Sequence, residues 1–386
     1  MPPSTPLPDL ASPAKLSLAQ IESLLTLTSR SAIDKLRRKA VETTLAYCGQ
    51  GVAYRGIIEF SNICRCNCRY CGIRASNSAV TRYQLTREQI LDQARWCADQ
   101  GFGSLLLQSG ERRDAAFIDF VVDVVKAIKA ETRSTRLPRG LGITLCVGEQ
   151  ARDTYARFFE AGAHRYLLRI ETSSPALFAR WHPPEQRLET RLGCLQTLRA
   201  IGYQVGTGVM IGAPWQTAAD LAADVCFFRE QDMDMICMGP YLPHHAAPMA
   251  AAAVPSSVER LRLVLLTIAV VRLVLRDVNI AATTALQALA PLGREMGLSF
   301  GANEIMLQAT PPALRRSDTH YDSKSFADDT DPAFQESLAS RILRMGRRPV
   351  RDQWNDAPHA RARRAGRRSS RRVPSTAVDN RPSPTP

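Results

Sequence analysis

Hydrophobic positions along the chain follow two alternating periods. Short apolar runs, several with a period of two, predict strands, and apolar residues three to four positions apart predict the helices between them. The predicted strands are Tyr54–Phe60, Ser104–Gln108, Gly142–Val147, Arg165–Ile170, Gln204–Ile211, Met235–Met238, Asn279–Ala282 and Glu304–Leu307. The predicted helices lie near residues 87–100, 114–131, 150–161, 187–201, 217–231, 257–276 and 286–298. Eight strands that alternate with helices favour an α/β fold, a (β/α)8 barrel of the TIM type, over an open sheet.

Segments outside this alternation have their own character. Residues 1–16 are rich in Pro and Ser and are predicted to be disordered. Residues 17–50 predict two helices, the first capped by Ser17. The barrel then occupies residues 51–346 and ends with a helix that stops at Gly346. Residues 347–386, rich in Arg and Pro, are predicted to be a disordered, solvated tail.

Composition restricts the compartment and the class of partner. Residues 347–386 contain eleven Arg and three Asp, so most of the net charge of +13 belongs to the tail and not to the barrel. The longest apolar stretch, from Leu263 to Leu275, is too short to span a bilayer and contains Arg272. The first residues lack the apolar segment of a signal peptide. We therefore expect a soluble protein of the reducing cytoplasm, in which cysteines such as Cys146 and Cys237 are small core residues.

Candidate chemistry follows the first predicted strand. Cys64, Cys68 and Cys71 have the spacing C-x3-C-x2-C, which brings three thiolates to one small inorganic centre and leaves a fourth position without a protein ligand. Thiolates suit an iron–sulfur cluster or zinc. A structural zinc site remains an alternative because Cys66 offers a fourth thiolate. The residues on both sides of Cys66 are polar, which favours a position for Cys66 outside the ligand set.

Several blocks of sequence together resemble one family. RGIIEFSNICRCNCRYCGIRASN, LLLQSGE, RYLLRIET, GVMIGAPWQT, DMDMICMGPYLPH and GANEIM are similar, in this order, to the HydE family of [FeFe]-hydrogenase maturases. That family lies in the biotin synthase-like branch of the radical S-adenosylmethionine (SAM) superfamily, and the resemblance covers about residues 50–310. It implies a [4Fe–4S] cluster on Cys64, Cys68 and Cys71, with SAM on the fourth iron.

The resemblance also implies which residues surround SAM and its reaction partner. It assigns Tyr70, Ser109, Gly110, Glu111, Glu171, Arg191 and Met235 to the SAM side, with Arg191 facing the SAM carboxylate. It assigns Gln108, Thr144, Arg169, Thr283 and Thr284 to the reaction chamber. Each has a plain structural alternative: a turn for residues 108–111, a mutual ion pair for Arg169 and Glu171, and a core position for Met235. The histidines at 244 and 245 are interpreted as loop structure or a cofactor-side contact, and not as metal ligands.

By resemblance, the chain cleaves SAM to a 5′-deoxyadenosyl radical that attacks a small iron–cysteine synthon carrying CO and cyanide. Implied partners are the companion maturases HydG and HydF and a ferredoxin or flavodoxin reductant. Residues 307–321 depart from the family pattern, which keeps a methylornithine synthase-like or sulfur-inserting enzyme as an alternative. A third alternative is a zinc-stapled protein whose Arg-rich tail binds nucleic acid. Residues 322–346 contain no cysteine, so an accessory cluster is not expected there.

Overall fold

Eight parallel strands close into a barrel, as the alternating pattern predicts. The computed structural model describes residues 13–315, 320–322 and 329–370. Its strands are β1 (Gly51–Ser61), β2 (Ser104–Ser109), β3 (Gly142–Cys146), β4 (Arg165–Leu167), β5 (Gln204–Thr207), β6 (Met210–Ile211), β7 (Met235–Ile236), β8 (Gly239–Pro240), β9 (Asn279–Ala282), β10 (Glu304–Gln308) and β11 (Arg348–Val350). The barrel order is β1-β2-β3-β4-β5-β7-β9-β10, and β10 pairs with β1 to close it. β6 and β8 form a separate short pair beyond β5 and β7.

Helices surround the barrel and precede it. They are α1 (Leu18–Leu25), α2 (Arg30–Cys48), α3 (Arg87–Asp99), α4 (Ala115–Glu131), α5 (Arg152–Ala161), α6 (Pro175–Trp181), α7 (Leu188–Ile201), α8 (Ala218–Glu230), α9 (Ser257–Leu275), α10 (Gly293–Ser299), α11 (Pro312–Arg315), α12 (Pro332–Arg344) and α13 (Pro358–Ser370). The predicted cap of α1 is confirmed, because the Ser17 side chain accepts from the N–H of Gln20. None of the helices in the described part of the chain is long and apolar enough to cross a membrane.

Alternate strand residues divide between two cores. Along β1, Ile58 faces the helices and joins the main core, whereas Ile57 faces the barrel interior. The inner layer of the barrel consists of Ile57, Leu106, Leu167, Cys237, Ala281 and Met306, with Cys146 packed against it. The barrel is therefore filled at mid-height, and a cavity can form only above or below this layer.

Two predicted elements are interrupted. The strand predicted over 204–211 breaks at Gly208, where an added Cβ would lie 1.8 Å from the Cys237 carbonyl oxygen. This close approach of two backbones separates β6 from β5. The helix predicted over 286–298 is instead a 3-10 helix, Thr284–Ala288, followed by α10. Pro291 lies between them and lacks the N–H that a continuous helix would need.

The prediction of a solvated tail from residue 347 is wrong for residues 348–370. β11 pairs with the start of β1. Trp354 follows beneath the barrel, where its indole N–H donates to the Gly140 carbonyl at 2.7 Å and its ring stacks on His164 at 4.3 Å. One aromatic anchor thus orders a segment that has few apolar residues. The prediction of disorder over residues 1–16 is wrong for residues 13–16, because Pro13–Lys15 form a 3-10 helix and Leu16 is buried. Residues 1–12 and 371–386, which the sequence predicted to be disordered, lie outside the described residues.

Part of the positive charge of this segment is paired with acidic residues of the barrel. On α13, Arg363 donates to Asp234 at 2.6 Å, and His359 bridges Asp232 and Asp277. Acidic residues at the amino ends of the strands therefore hold the basic helix against the bottom of the barrel.

Paired charges close the amino-terminal end of the barrel. Arg165, which is fully buried, donates to the Asp356 carboxylate at 2.6 Å. Nearby, Arg55 forms a buried ion pair with Glu304, which also accepts from the Asn279 amide at 2.8 Å. This floor leaves the carboxyl-terminal end of the barrel as the place for a ligand.

Candidate active site

A chamber of about 310 Å³ opens at the carboxyl end of the barrel, above the inner layer. Most of the predicted site residues line it: Cys64, Cys68, Tyr70, Cys71, Gln108, Ser109, Gly110, Glu111, Arg169, Glu171, Arg191, Thr283 and Thr284. They come from the end of β2, from the loops that follow several strands and, for Arg191, from α7, and closure of the barrel brings them together. The chamber is mainly apolar, with these polar groups at its upper wall.

The cysteine loop after β1 is fixed by backbone hydrogen bonds. Arg82 reaches under the loop and donates to the carbonyl oxygens of Asn62, Ile73 and Arg74 at 2.7–2.8 Å. The Arg69 N–H donates to the Trp181 carbonyl at 2.8 Å and ties the loop to the end of α6. The loop therefore keeps its shape through its own packing.

Electrostatics differ among the cysteines. The Cys66 thiol and then the N–H groups of Cys66 and Glu111 donate to Cys64, and together they lower the pKa of Cys64 to about 6 despite its burial. Burial raises the pKa of Cys68 to about 12. Cys66 lies beside Cys64 and also lines the chamber. It is therefore closer to the site than we expected for a cysteine outside the ligand set.

The end of β2 supports the cysteine loop. At Gly110, an added Cβ would lie 2.4 Å from the Ile63 carbonyl oxygen, so a larger residue would displace the loop. Ser109 donates to the Gly110 carbonyl at 2.8 Å. The Glu111 carboxylate accepts from the N–H of Glu149 at 2.9 Å and therefore braces the chamber wall.

Glu149 is a site residue that the sequence did not single out. It is buried, and its carboxylate accepts from Arg191 Nε at 2.9 Å and from Arg113 at 3.2 Å. Arg191 also donates to the Arg169 carbonyl at 3.1 Å. Glu149 therefore sets the orientation of the Arg191 guanidinium at the chamber wall. The sequence feature that could have identified Glu149 is its position just after β3, three residues beyond Cys146.

Arg169 and Glu171 form the mutual ion pair that the sequence left open as an alternative to roles in the site. The distance between Arg169 Nη2 and Glu171 Oε2 is 2.9 Å. Burial by itself lowers the pKa of the Arg169 guanidinium, but the Glu171 carboxylate outweighs it and holds that pKa above its ordinary value. Glu171 has a φ of 64°, a left-handed conformation that is uncommon for a residue other than glycine. Such strain is concentrated at ligand sites.

Tyr70 is held by a neutral histidine. Burial lowers the pKa of His182 to about 3, and its Nδ1 lies 3.0 Å from the Phe178 carbonyl, so the ring proton is on Nδ1. Nε2 therefore accepts from the Tyr70 hydroxyl at 3.2 Å. His182 was not predicted, because a single histidine after a helix carries no specific sequence signal.

Two predicted residues lie below the chamber. Thr144 accepts from Arg55 at 3.0 Å, and Met235 packs against Gly206. Both line a smaller cavity of about 20 Å³ at the floor of the barrel. The expectation that they face the chamber is corrected, because Met235 begins β7 and Thr144 lies at mid-strand, so neither reaches the carboxyl end.

Two cysteines of the barrel's inner core layer, where small core residues were expected, also border the chamber. Cys146 and Cys237 line its lower wall, and burial raises the pKa of each thiol.

The neighbouring histidines His244 and His245 both lie beside the Asp322 carboxylate at the edge of the chamber. The N–H of Ala246 donates to His244 Nδ1 at 3.1 Å, so the neutral ring carries its proton on Nε2, which is 3.7 Å from Asp322. His245 binds the same carboxylate at 2.8 Å. A metal ion would need the Nε2 lone pair of His244. This arrangement supports the interpretation of these histidines as loop structure.

The chain is similar to known proteins over most of its length. The family model described as the radical SAM superfamily matches residues 58–225. The [FeFe] hydrogenase maturase subunit HydE of Thermotoga maritima is 39% identical over 333 residues, which cover 86% of this chain and 91% of that protein.

Two solved structures share the fold. Methylornithine synthase (PylB) has a TM-score of 0.75 at 24% identity and covers 89% of this chain and 98% of its own. HydG, a maturase of the [FeFe]-hydrogenase, has a TM-score of 0.73 at 19% identity, over 88% of this chain and 74% of its own. At these identities the likeness establishes the fold alone.

Proposed function

The chain belongs to the HydE family of the radical SAM superfamily, and on that premise we propose that it acts in maturation of the [FeFe]-hydrogenase active site. It is a radical SAM enzyme, and its cofactors are a [4Fe–4S] cluster and SAM. One observation carries the proposal: Cys64, Cys68 and Cys71 face the same chamber as Arg169 and Arg191.

The donor set fits the cluster. Three sulfur atoms face one chamber, Cys64 already accepts two N–H hydrogen bonds, and Gly110 keeps space beside the loop. Cys64, Cys68 and Cys71 would hold the cluster. When bound, it supplies the electron that cleaves a carbon–sulfur bond of SAM and yields a 5′-deoxyadenosyl radical.

The chain's own groups bind and orient SAM. We assign the SAM carboxylate to Arg191, whose planar guanidinium suits bidentate recognition and whose direction is set by Glu149. We assign the amino group to Glu171 and to carbonyl groups near Ser109. The apolar inner layer closes the chamber from below and offers few polar hydrogen donors to a reactive radical.

The proposed substrate is a small iron–cysteine synthon that carries CO and cyanide. Gln108, Thr283 and Thr284 supply polar contacts in the chamber. His320 and Tyr321 complete its wall, and they come from the region that departs from the family pattern. We expect their identity to affect substrate choice. The proposed partners are HydG, HydF and a ferredoxin or flavodoxin, in a reducing cytoplasm.

The alternatives are less well supported. Methylornithine synthase is 25% identical over 337 residues, whereas the HydE relative is 39% identical over 333 residues. Binding of nucleic acid through the basic tail would have to do without Arg363 and His359, which are paired with aspartates of the barrel.

A maturation assay tests the proposal. Hydrogenase apoprotein is incubated anaerobically with HydF, HydG, SAM, a reductant and this protein, and hydrogen evolution is measured. We expect activity to depend on this protein and to disappear with Cys68→Ala, which removes a cluster ligand and leaves the barrel core unchanged. Equal hydrogen evolution without this protein would contradict the proposed role.

A further inference from the structure

An exposed tryptophan lies on the outer surface near the cysteine loop. Trp215 is 51% exposed and has a φ of 65°. A large apolar side chain in water and a left-handed backbone are both unfavourable for this residue type. The Arg180 guanidinium lies 5.1 Å from the centre of its ring. Trp and Arg are the residues that most often dominate protein–protein interfaces.

Arginines continue this surface along the cysteine loop and the segment after α6. Arg69, in the loop, donates to the Arg180 carbonyl at 3.3 Å. Arg65, whose side chain is 54% exposed, and Arg187 line a groove of about 150 Å³. Of the acidic residues in that groove, Glu111 and Glu149 are buried, and Glu185 is exposed. The solvent-facing charge here is therefore mainly positive.

The groove lies directly behind the site. Cys66, Glu111 and Gln186 line both the groove and the chamber. Cys68 Sγ is 3.3 Å from Gln186 Oε1. A single layer of side chains therefore separates the motif cysteines from the outer surface at this place.

We propose that this basic surface, defined by Arg65, Arg69, Arg180, Arg187 and Trp215, docks an acidic electron-transfer protein. The proposal rests on the proposed function, which requires an electron from outside the chain. One electron passes from the reduced flavin or iron–sulfur centre of the partner to the site, and no bond forms or breaks in this transfer. Complementary charge raises the rate of encounter, and Trp215 supplies an apolar anchor at the contact.

The test separates docking from chemistry by measuring affinity first. The probe is flavodoxin, an acidic flavin protein, titrated calorimetrically into the reconstituted holoenzyme without SAM. The variants are Arg180→Glu/Arg187→Glu and Trp215→Ala, none of which alters a residue assigned to SAM or the cluster. The control, Lys35→Glu/Arg38→Glu, makes the same change in charge on exposed residues of α2.

We expect each test variant to bind flavodoxin about tenfold more weakly, and the control to match the wild type. Added salt should weaken wild-type binding more than binding by the double variant. SAM cleavage driven by saturating dithionite should stay within about twofold of wild type in all variants, because that reductant needs no docked protein.

Several results would overturn the docking proposal. These are an unchanged affinity for flavodoxin in the double variant, or an equal loss of that affinity in the control. A fold-loss of dithionite-driven SAM cleavage as large as the fold-loss of flavodoxin affinity would also overturn it. Dissociation of a dimer in Arg180→Glu/Arg187→Glu, seen by sedimentation, would assign the surface to a second copy and also overturn it. A wild-type protein that fails to cleave SAM with dithionite would refute the proposed function, while the affinity measurement would still decide docking.

Discussion

Glu149 is the residue on which we expect the action of Arg191 to depend. The perturbation is Glu149→Gln, which keeps the size of the side chain and removes its charge. In the wild type the Glu149 carboxylate and the Arg191 guanidinium are 2.9 Å apart and both buried, at 5% and 6% exposure. The amide can accept one hydrogen bond but no longer compensates the buried cation.

The size of the effect follows from this geometry. Removing a charged partner from a buried pair costs roughly 3–5 kcal/mol, and hydrogen bonds to charged groups contribute roughly 1.5–3 kcal/mol. Because the glutamine retains one acceptor, we take the lower range. At about 1.4 kcal/mol per tenfold change, the Kd for SAM should rise by roughly 10- to 100-fold if the whole loss appears in binding.

The assay is anaerobic equilibrium binding of SAM to reconstituted protein. Arg191→Lys should weaken binding by a similar factor, and the double variant should be little worse than either single variant, because both changes break one interaction. Glu189→Gln, an exposed change on the same helix as Arg191, is the control and should bind as the wild type does. A Kd for Glu149→Gln within twofold of wild type, or additive losses in the double variant, would refute the positioning role of Glu149.

Three other perturbations test the floor, the terminal helix and the ligand set. Asp356→Ala should lower the free energy of unfolding in urea by about 3–5 kcal/mol because it leaves the Arg165 charge buried and unpaired; no recovery on adding Arg165→Met would contradict this. A hydrogen bond to Asp277, aided by a second aspartate, raises the pKa of His359 to about 9 from its ordinary 6.5. Its stabilisation is therefore complete below pH 6.5 and lost as the pH rises through 9, so His359→Gln should flatten the fall in melting temperature across that interval, and a wild type without such a fall would count against the docked helix. Cys66→Ser should retain about four irons per chain after reconstitution, unlike serine at any of the three motif cysteines, and iron loss in Cys66→Ser would return it to the ligand set.

Sequence periodicity predicted the barrel because each strand and helix contributes a local pattern that tertiary packing does not alter. The sequence also grouped the three motif cysteines with Gly110, and the structure places these four residues on one chamber. The depth of a residue within the barrel could not be predicted from the sequence. Thr144 and Met235 have interior positions, but a period of two does not tell which layer a residue occupies, and both lie below the chamber.

Long-range charge pairing was the other feature that sequence could not supply. Glu149, in the loop after β3, gains its role from Arg191 on α7. The segment after residue 347 looked like solvated tail because its apolar content is low. Its order depends on Trp354 and on pairs such as Asp356 with Arg165, which meet only after the barrel has closed.

Anaerobic iron and SAM chemistry tests the central claim most directly. The protein is reconstituted with iron and sulfide, reduced with dithionite and mixed with SAM, and 5′-deoxyadenosine is measured by liquid chromatography. We predict about four irons per chain, a spectroscopic change in the cluster when SAM is added, and 5′-deoxyadenosine that is absent in Cys68→Ala. An iron-free protein, or a loaded one that forms no 5′-deoxyadenosine, would contradict the account.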